Sequence, residues 1–442
     1  MKKEAGFVFI FFGLLALLGG SFFGCIAALQ FVFPEFLKDI PFVKTRPLHV
    51  SLVVAWIFFS AIGVIYYFLQ NNSKVKIFSD TIPKIHFWTF LFTGALILAC
   101  YVLGIFGGRE YWEFPAILSI PIFISWLLFG WNYFKTVFQL IGQWPVYLWM
   151  WATGIVFFFI TFSEAHLWLF PYFRNNIVRD LTVQWKANGA LVGSWNMLVY
   201  GTAIFVMERI RGDESIAKSK IAYLMFFLGF TNLLFGWAHH IYILPSARWV
   251  RILSYVISMT ELLILAKIIW NWKKSLSEVK KYFHFLPIKF LIAADFWIFI
   301  NLTLAIAISV PAINVYTHGT HVTVAHAMGS TIGINTMILL ASCVFLVLDA
   351  IKVEFRPSQK RMIHSGFWVL NFSLLIFWLC LIFAGIEKGM LVIENKLTFS
   401  EIMERINPTL TLFAFSGLGI FSGLIIIVLP TLKTISFYWT KK

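Results

Sequence analysis

Charge is what this 442-residue chain has least of: Asp, Glu, Lys and Arg make up 12% of it, against 60% hydrophobic residues and a mean hydropathy of +0.84. So few polar side chains cannot cover the surface of a water-soluble domain, which excludes a soluble enzyme. Acids are the scarcer sign, 20 against 35 basic residues. The resulting +15 invites a nucleic-acid reading, but basic residues flanking apolar helices are what membrane topology selects, and no nucleic-acid partner is expected. Cysteine is sparse as well. Cys25, Cys100, Cys343 and Cys380 form no CxxC, so neither a disulfide framework nor a thiolate metal site is indicated. CxxCH is absent, so the chain attaches no c-type heme itself. Repeats and low-complexity tracts are missing, and so is the alternation of a membrane β-barrel: 7–33 and 337–348 are apolar on nearly every face.

What the chain does have is long apolar runs. A bilayer span needs roughly 20 apolar residues, and breaks at charged, Gly and Pro clusters delimit twelve of them, near 6–33, 47–70, 86–107, 115–138, 146–172, 182–207, 219–245, 248–271, 285–311, 319–350, 363–386 and 408–434. The expected fold is an all-α membrane protein of twelve transmembrane helices, forming one domain over 1–442. The first run is too long for a signal peptide and lacks a small-residue cleavage site, so it reads as a retained span. The longest connection, 387–407, reads as a short amphipathic helix at the outer interface. With an even number of spans the termini share a side. That side carries 21 of the Lys and Arg residues and the other 11, with Lys186, Lys267 and Lys289 inside spans. The positive-inside rule therefore puts both termini in the cytoplasm.

This orientation sorts the ten histidines. His86, His284 and His364 fall at inner helix ends, where a solvated interfacial histidine is expected. The other informative ones collect on the outer side: His49 in the second span, His239 and His240 in the seventh, and His318, His321 and His326 at the start of the tenth. Ionisable groups in a membrane are costly enough that a functional reading is the default. Neutral imidazole is a common ligand for heme iron, non-heme iron and copper. At about 100° per residue His326 and Met328 point about 200° apart, so one helix could ligate a heme on each flank. The adjacent pair His239–His240 can converge on one metal at a helix end.

Twelve spans carrying R-P-L-H (46–49), W-A-H-H-I-Y (237–242) and Y-T-H-G-T-H-V-T-V-A-H-A-M (316–328) resemble the heme-copper oxidase superfamily. Within it the likeness is greatest to the large catalytic subunit of bacterial nitric oxide reductases, to which Y-T-H-G-T and G-G-R-E (107–110) also point. The resemblance implies two b-type hemes and a non-heme metal, iron in the reductases and copper in the oxidases. It makes His326 the proximal ligand of a high-spin heme, His49 an axial ligand of a low-spin heme, and His239 and His240 ligands of the non-heme iron. Glu261, 21 residues after His240, takes the place of a family glutamate close to that iron, and Glu110 that of an outer-loop calcium ligand. Arg46, Arg248 and Arg251 are candidates to pair with heme propionates, against ordinary interfacial snorkelling.

The chain departs from the family pattern in three ways. Its second low-spin-heme histidine, two residues after the proximal one, is Met328 here; methionine is an acceptable axial ligand that raises the heme potential. Its third non-heme-metal histidine, 51 residues before the pair, is Asn188, a harder and weaker oxygen donor that suits iron better than copper. His166 mimics the family's local H-L-W spelling but lies 73 residues before His239, out of register. Two family glutamates fall on Val192 and Asn196. That leaves Glu261, with Glu164 and Lys186 as substitutes that each need a partner at that depth, and Asp295 as part of an inner water path or a helix contact.

The implied activity is reduction of NO to N₂O, with electrons from a small membrane-anchored cytochrome c subunit. The alternatives on the same scaffold are NO dismutation to N₂ and O₂, oxygen reduction, and a catalytically degenerate paralogue. Against oxygen reduction, no tyrosine lies one turn after His239–His240; Tyr242 is only two residues on. From another class, a heme-free transporter or assembly factor could use these histidines for a metal in transit, although histidines at one depth favour a fixed cofactor site. The expected location is a bacterial cytoplasmic membrane, with the cofactors near its periplasmic side. Near-infrared magnetic circular dichroism of the oxidised protein is expected to report His49/Met328 ligation; a bis-histidine signal would overturn that assignment.

Overall fold

The computed structural model describes residues 5–440 apart from 73, 243, 261–263 and 352–354. Among them no β-strand forms, and a single isolated bridge joins Arg109 to Trp112. The helices are α1 (Ala5–Val32), α2 (Phe42–Asn71), α3 (Ile82–Leu103), α4 (Ser119–Val137), α5 (Val146–Glu164), α6 (Pro171–Arg174), α7 (Ile177–Arg211), α8 (Lys220–Phe235), α9 (Arg248–Ser258), α10 (Ile264–Ser275), α11 (Glu278–Phe283), α12 (Phe285–Ser309), α13 (Pro311–Thr317), α14 (His321–Met328), α15 (Met337–Ile351), α16 (Pro357–Glu394) and α17 (Phe399–Thr440). A 3₁₀ segment, Gly236–Ile241, continues α8, and a π-helical segment, Gly329–Thr336, joins α14 to α15.

Eleven helical runs among the described residues are long and apolar enough to cross a membrane. Within the expected eighth span, 248–271, α9 ends at Ser258 and helix is described again from Ile264; 261–263 lie outside the described residues. The expected interfacial helix over 387–407 is not separate. α16 runs on to Glu394, where Asn395 at φ 50° ends it, and α17 begins at Phe399. An Arg405–Glu387 ion pair of 2.9 Å links the two extended ends.

The chain divides into two compact units, Met1–Gly13 with Val54–Ile264, and Leu14–Val53 with Leu265–Lys442. In the first, tryptophan and serine donors that hydrocarbon would leave unsatisfied cross between helices to backbone carbonyls. Trp151 Nε1 donates to the Leu198 carbonyl at 3.1 Å, Ser194 Oγ to the Gly154 carbonyl at 3.0 Å and Trp126 Nε1 to the Ile155 carbonyl at 2.8 Å. In the loops of this unit, hydrogen bonds from Lys218 and Lys74 hold the Glu214 carboxyl below the ordinary carboxylate range.

His86 corrects the sequence reading. Pro83 sits in the first turn of α3, which starts at Ile82 rather than near 86, so His86 lies one turn inside and is 0% exposed. Its Nδ1 is 3.0 Å from the Tyr66 hydroxyl, and its ring stacks on Phe129 at 5.2 Å.

In the second unit α16 and α17 pack so closely that a Cβ at Gly423 would lie 2.7 Å from the Leu370 amide nitrogen, a backbone atom with no room to give. Gly423→Val is therefore expected to cost about 1–3 kcal/mol by overpacking, measured as a lower thermal-unfolding midpoint in detergent. Gly417→Ala, whose Cβ would meet Phe377 at an ordinary 3.6 Å, should leave the midpoint unchanged.

Candidate heme and metal sites

In the second unit, His49 stands two residues after Pro47 in the opening turns of α2. Thr45 Oγ1 donates to Gln30 Oε1 at 2.7 Å and anchors those turns to α1. His49 Nδ1 lies 2.7 Å from the Gly20 carbonyl oxygen. A carbonyl only accepts, so the proton sits on Nδ1 and Nε2 keeps its lone pair, the arrangement a metal-ligating histidine needs. Gly24 faces the same ring, and a Cβ there would be 2.7 Å from Nδ1. The ring's place therefore depends on two glycines of α1. Arg46 is half-buried one turn before His49.

His326 and Met328 lie on α14, an eight-residue helix opened by Thr320, whose hydroxyl accepts from the Val322 amide at 3.3 Å. Both are half-buried, and at about 100° per residue they face opposite flanks of the helix. His326 adjoins Asn301 of α12, whose Nδ2 is 3.1 Å from the His326 carbonyl oxygen and 3.4 Å from its Nδ1. His321 sets its ring edge to face with Phe31 at 5.9 Å, and His318 caps α13. These residues fit heme ligation: one imidazole has its tautomer fixed by a carbonyl, and one short helix presents a histidine and a methionine on opposite sides.

In the first unit the 3₁₀ turn brings the rings of His239 and His240 to 4.2 Å, inclined at 43°. Ser254 Oγ of α9 donates to the Gly236 carbonyl at 3.0 Å and pins the start of that turn. On the α7 side, Trp185 stacks on His240 at 4.8 Å and 10°. One turn on, a Cβ at Gly189 would be 2.7 Å from Trp237 Cβ. Asn188, 5% exposed, is next to Gly189 and so flanks the face of α7 that meets the pair. Among the described residues no three His, Cys, Asp or Glu side chains cluster to hold a metal ion. Among the described residues, the donors brought together here are the two imidazoles of His239 and His240, a pair that fits metal ligation.

Asn188 also lines a cavity of about 10 Å³ with Arg109, Glu110, Asp180 and Gln184, about one water in size. Arg109 pairs with Asp180 at 2.7 Å, and Gln184 Nε2 donates to Glu110 Oε2 at 3.4 Å. Glu164 and Lys186 form an ion pair with each other, so each has the partner that burial demands. His166 has both nitrogens engaged: Nδ1 faces the Phe162 carbonyl at 2.7 Å and Nε2 the Ser119 hydroxyl at 2.6 Å. It holds the end of α5 to α4, the role opposite to a ligand's. Asp295 is half-buried in α12, where its Oδ1 is buried without a hydrogen-bond partner. Arg248 and Arg251 are exposed on α9. Glu261 lies outside the described residues. Sequence reasoning did not reach Gly20, Gly24, Trp185 or Asn301. The glycines at 19, 20 and 24 of α1 are the one signal that could have pointed there, since small residues mark close approach between membrane helices.

Residues 4–419 match the family described as cytochrome c and quinol oxidase polypeptide I. The chain is 24% identical over 405 residues to a nitric oxide reductase subunit of Stutzerimonas stutzeri, covering 85% of this chain and 82% of that one. It is 21% identical over 446 residues to the cbb3-type cytochrome c oxidase subunit CcoN1 of the same organism, covering 94% and 91%. In three dimensions it is similar to a heme-copper terminal oxidase solved by cryo-electron microscopy, with a TM-score of 0.75, 13% identity, and coverage of 98% of this chain and 84% of that one.

His239→Ala and His240→Ala are each expected to weaken non-heme metal binding by roughly tenfold or more. His166→Ala should leave the metal content of the purified protein unchanged, measured by inductively coupled plasma mass spectrometry; equal loss in all three would remove the distinction drawn between them.

Proposed function

We propose, because the chain belongs to the cytochrome c and quinol oxidase polypeptide I family, that it is the catalytic subunit of a membrane-bound nitric oxide reductase, 2 NO + 2 e⁻ + 2 H⁺ → N₂O + H₂O. The observation that carries this reading within the family is the likeness to a nitric oxide reductase subunit, at 24% identity over 85% of the chain. The paired rings of His239 and His240 support a metal site in the first unit, and a carboxamide oxygen from Asn188 as a further ligand would suit iron over copper.

His49, with Nδ1 protonated toward Gly20, and Met328 would hold a low-spin b-type heme. His326 would hold a high-spin b-type heme, and His239, His240 and Asn188 a non-heme iron. When bound, these groups would supply electron storage and the open coordination sites at which substrate is polarised. The chain's own contribution is positioning: it fixes the tautomer of His49, sets His326 and Met328 on opposite flanks of α14, and holds the histidine pair against Trp185. Arg46, Arg248 and Arg251 would neutralise propionates. Glu261 would hold the proton delivered to the product oxygen, and Glu110 would bind calcium in the outer loop. The partner is a small membrane-anchored cytochrome c subunit, and the location a bacterial cytoplasmic membrane, with termini inside and cofactors toward the periplasm. The 21-to-11 division of basic residues supports that orientation.

Likeness to CcoN1 over 94% of the chain supports a second reading, oxygen reduction on the same scaffold. With isotope-labelled NO and a reduced cytochrome c, the purified complex is expected to release labelled N₂O with donor consumption, and to contain two b-type hemes and one non-heme iron. N₂ plus O₂ without a donor would indicate dismutation, donor-linked O₂ uptake without N₂O the second reading, and a missing third metal a degenerate paralogue.

A further inference from the structure

Lys186 meets its burial with Glu164, but Lys289, also inside a span, bonds to no carboxylate among the described residues. It stands one turn into α12 and is half-buried. Its ammonium lies 3.0 Å from His364 Nδ1 of α16 and over the rings of Phe367 and Trp368 at 4.2 and 4.7 Å. Phe367 is buried, so the ammonium is drawn toward the bundle, whereas an ordinary interfacial lysine extends into water. An ammonium only donates, so Nδ1 accepts and the imidazole proton sits on Nε2, which is 3.5 Å from the same ammonium. Phe285 stacks on the imidazole at 5.9 Å and 17° and holds its plane. The remaining N–H groups of Lys289 and the Nε2–H of His364 therefore form a set of donors whose geometry is fixed, and among the described residues no side chain supplies their acceptor.

The surface beside these donors selects the acceptor. Along α16, His364 is followed at four-residue steps by Trp368, Phe372 and Ile376, which are 46%, 60% and 45% exposed and form one ridge of the helix. Trp368 stacks on Phe372 at 5.4 Å, so the ridge is continuous there. From 364 to 376 the helix rises about 18 Å, somewhat more than half of a hydrocarbon core roughly 30 Å thick. One turn back from His364, in the other direction, stand the exposed Lys360 and Arg361. We propose that Lys289 and His364 bind the phosphate of an anionic phospholipid, with an acyl chain laid along Trp368, Phe372 and Ile376. The phosphate supplies the counter-charge that a cation inside a span needs, and its oxygens accept from Lys289 Nζ and His364 Nε2. A zwitterionic lipid carries a cationic headgroup as well, which Lys360 and Arg361 repel.

The test is native mass spectrometry of the full-length protein released from detergent, with equimolar phosphatidylglycerol and phosphatidylcholine as probes. The unaltered protein is expected to retain phosphatidylglycerol in preference. Lys289→Met and His364→Phe keep most of the bulk of each side chain, and each should weaken that retention about fivefold or more while leaving phosphatidylcholine unchanged. Lys289→Arg keeps the charge and should keep most of the preference. Lys135→Met removes an exposed lysine that lies over a single ring, Trp131 at 5.3 Å, and should change nothing. Phe372→Ser leaves both donors in place and shortens the apolar ridge, so it should weaken phosphatidylglycerol retention even if Lys289→Met lowers the unfolding midpoint. Equal retention of the two lipids by the unaltered protein, or an equal loss in Lys135→Met, would reduce Lys289 to ordinary snorkelling and overturn the inference. Retention unchanged in both Lys289→Met and Phe372→Ser would overturn it as well. Excess inorganic phosphate should not displace phosphatidylglycerol; displacement would identify a site for the free anion and overturn the lipid assignment.

Discussion

Hydrocarbon offers no hydrogen-bond partner, so a polar group carried into the bilayer must find one within the chain. Much of the architecture answers that demand. Indole and hydroxyl donors of α4, α5 and α7 close onto carbonyls of neighbouring helices, and Glu164 and Lys186 neutralise each other between α5 and α7. The same demand sorts the histidines. One with both nitrogens satisfied, as His166 is by Phe162 and Ser119, serves as a strut. One with a single nitrogen satisfied by a carbonyl, as His49 is by Gly20, has its second nitrogen available for a metal.

That sorting explains what was legible before the structure. Apolar run length is a property of contiguous residues, so the runs long enough to cross a membrane could be read directly. His86 was misplaced because four residues separate the expected start of α3 from the Ile82 that opens it, and one turn is the difference between an interface and a core. The 387–407 stretch was misread because two helix ends in succession carry the same mixture of charged and apolar residues as one short interfacial helix. The need of Glu164 and Lys186 for partners followed from their depth, but their choice of each other did not. Gly20, Gly24, Trp185 and Asn301 lay out of reach because their roles are contacts between segments distant in sequence, and a single chain shows no register between helices.

On the proposed ligand assignment, the departures from the family pattern would share a direction: Asn188 for an imidazole, Met328 for a second histidine, and Val192 and Asn196 for carboxylates would each withdraw basicity or charge from the sites. Inside a bilayer, fewer formal charges mean less desolvation to offset, and the pair Glu164–Lys186 is neutral as a unit. Packing holds the polar side chains in place, with Trp185 against His240 and Trp378 against Asn301 as the clearest cases.

The π-helical segment Gly329–Thr336 separates α14 from α15. A wider turn of this kind changes the angular phase between the residues before it and those after it. Residues 337–347 of α15 are packed into the core of the second unit, nearly without exposure, and their register is fixed by those neighbours. The segment therefore works as a phase joint. A single-residue insertion or deletion within it would turn His326 and Met328 around the helix axis while α15 kept its packing, so the direction in which this helix presents those two side chains can be changed separately from the core that supports it.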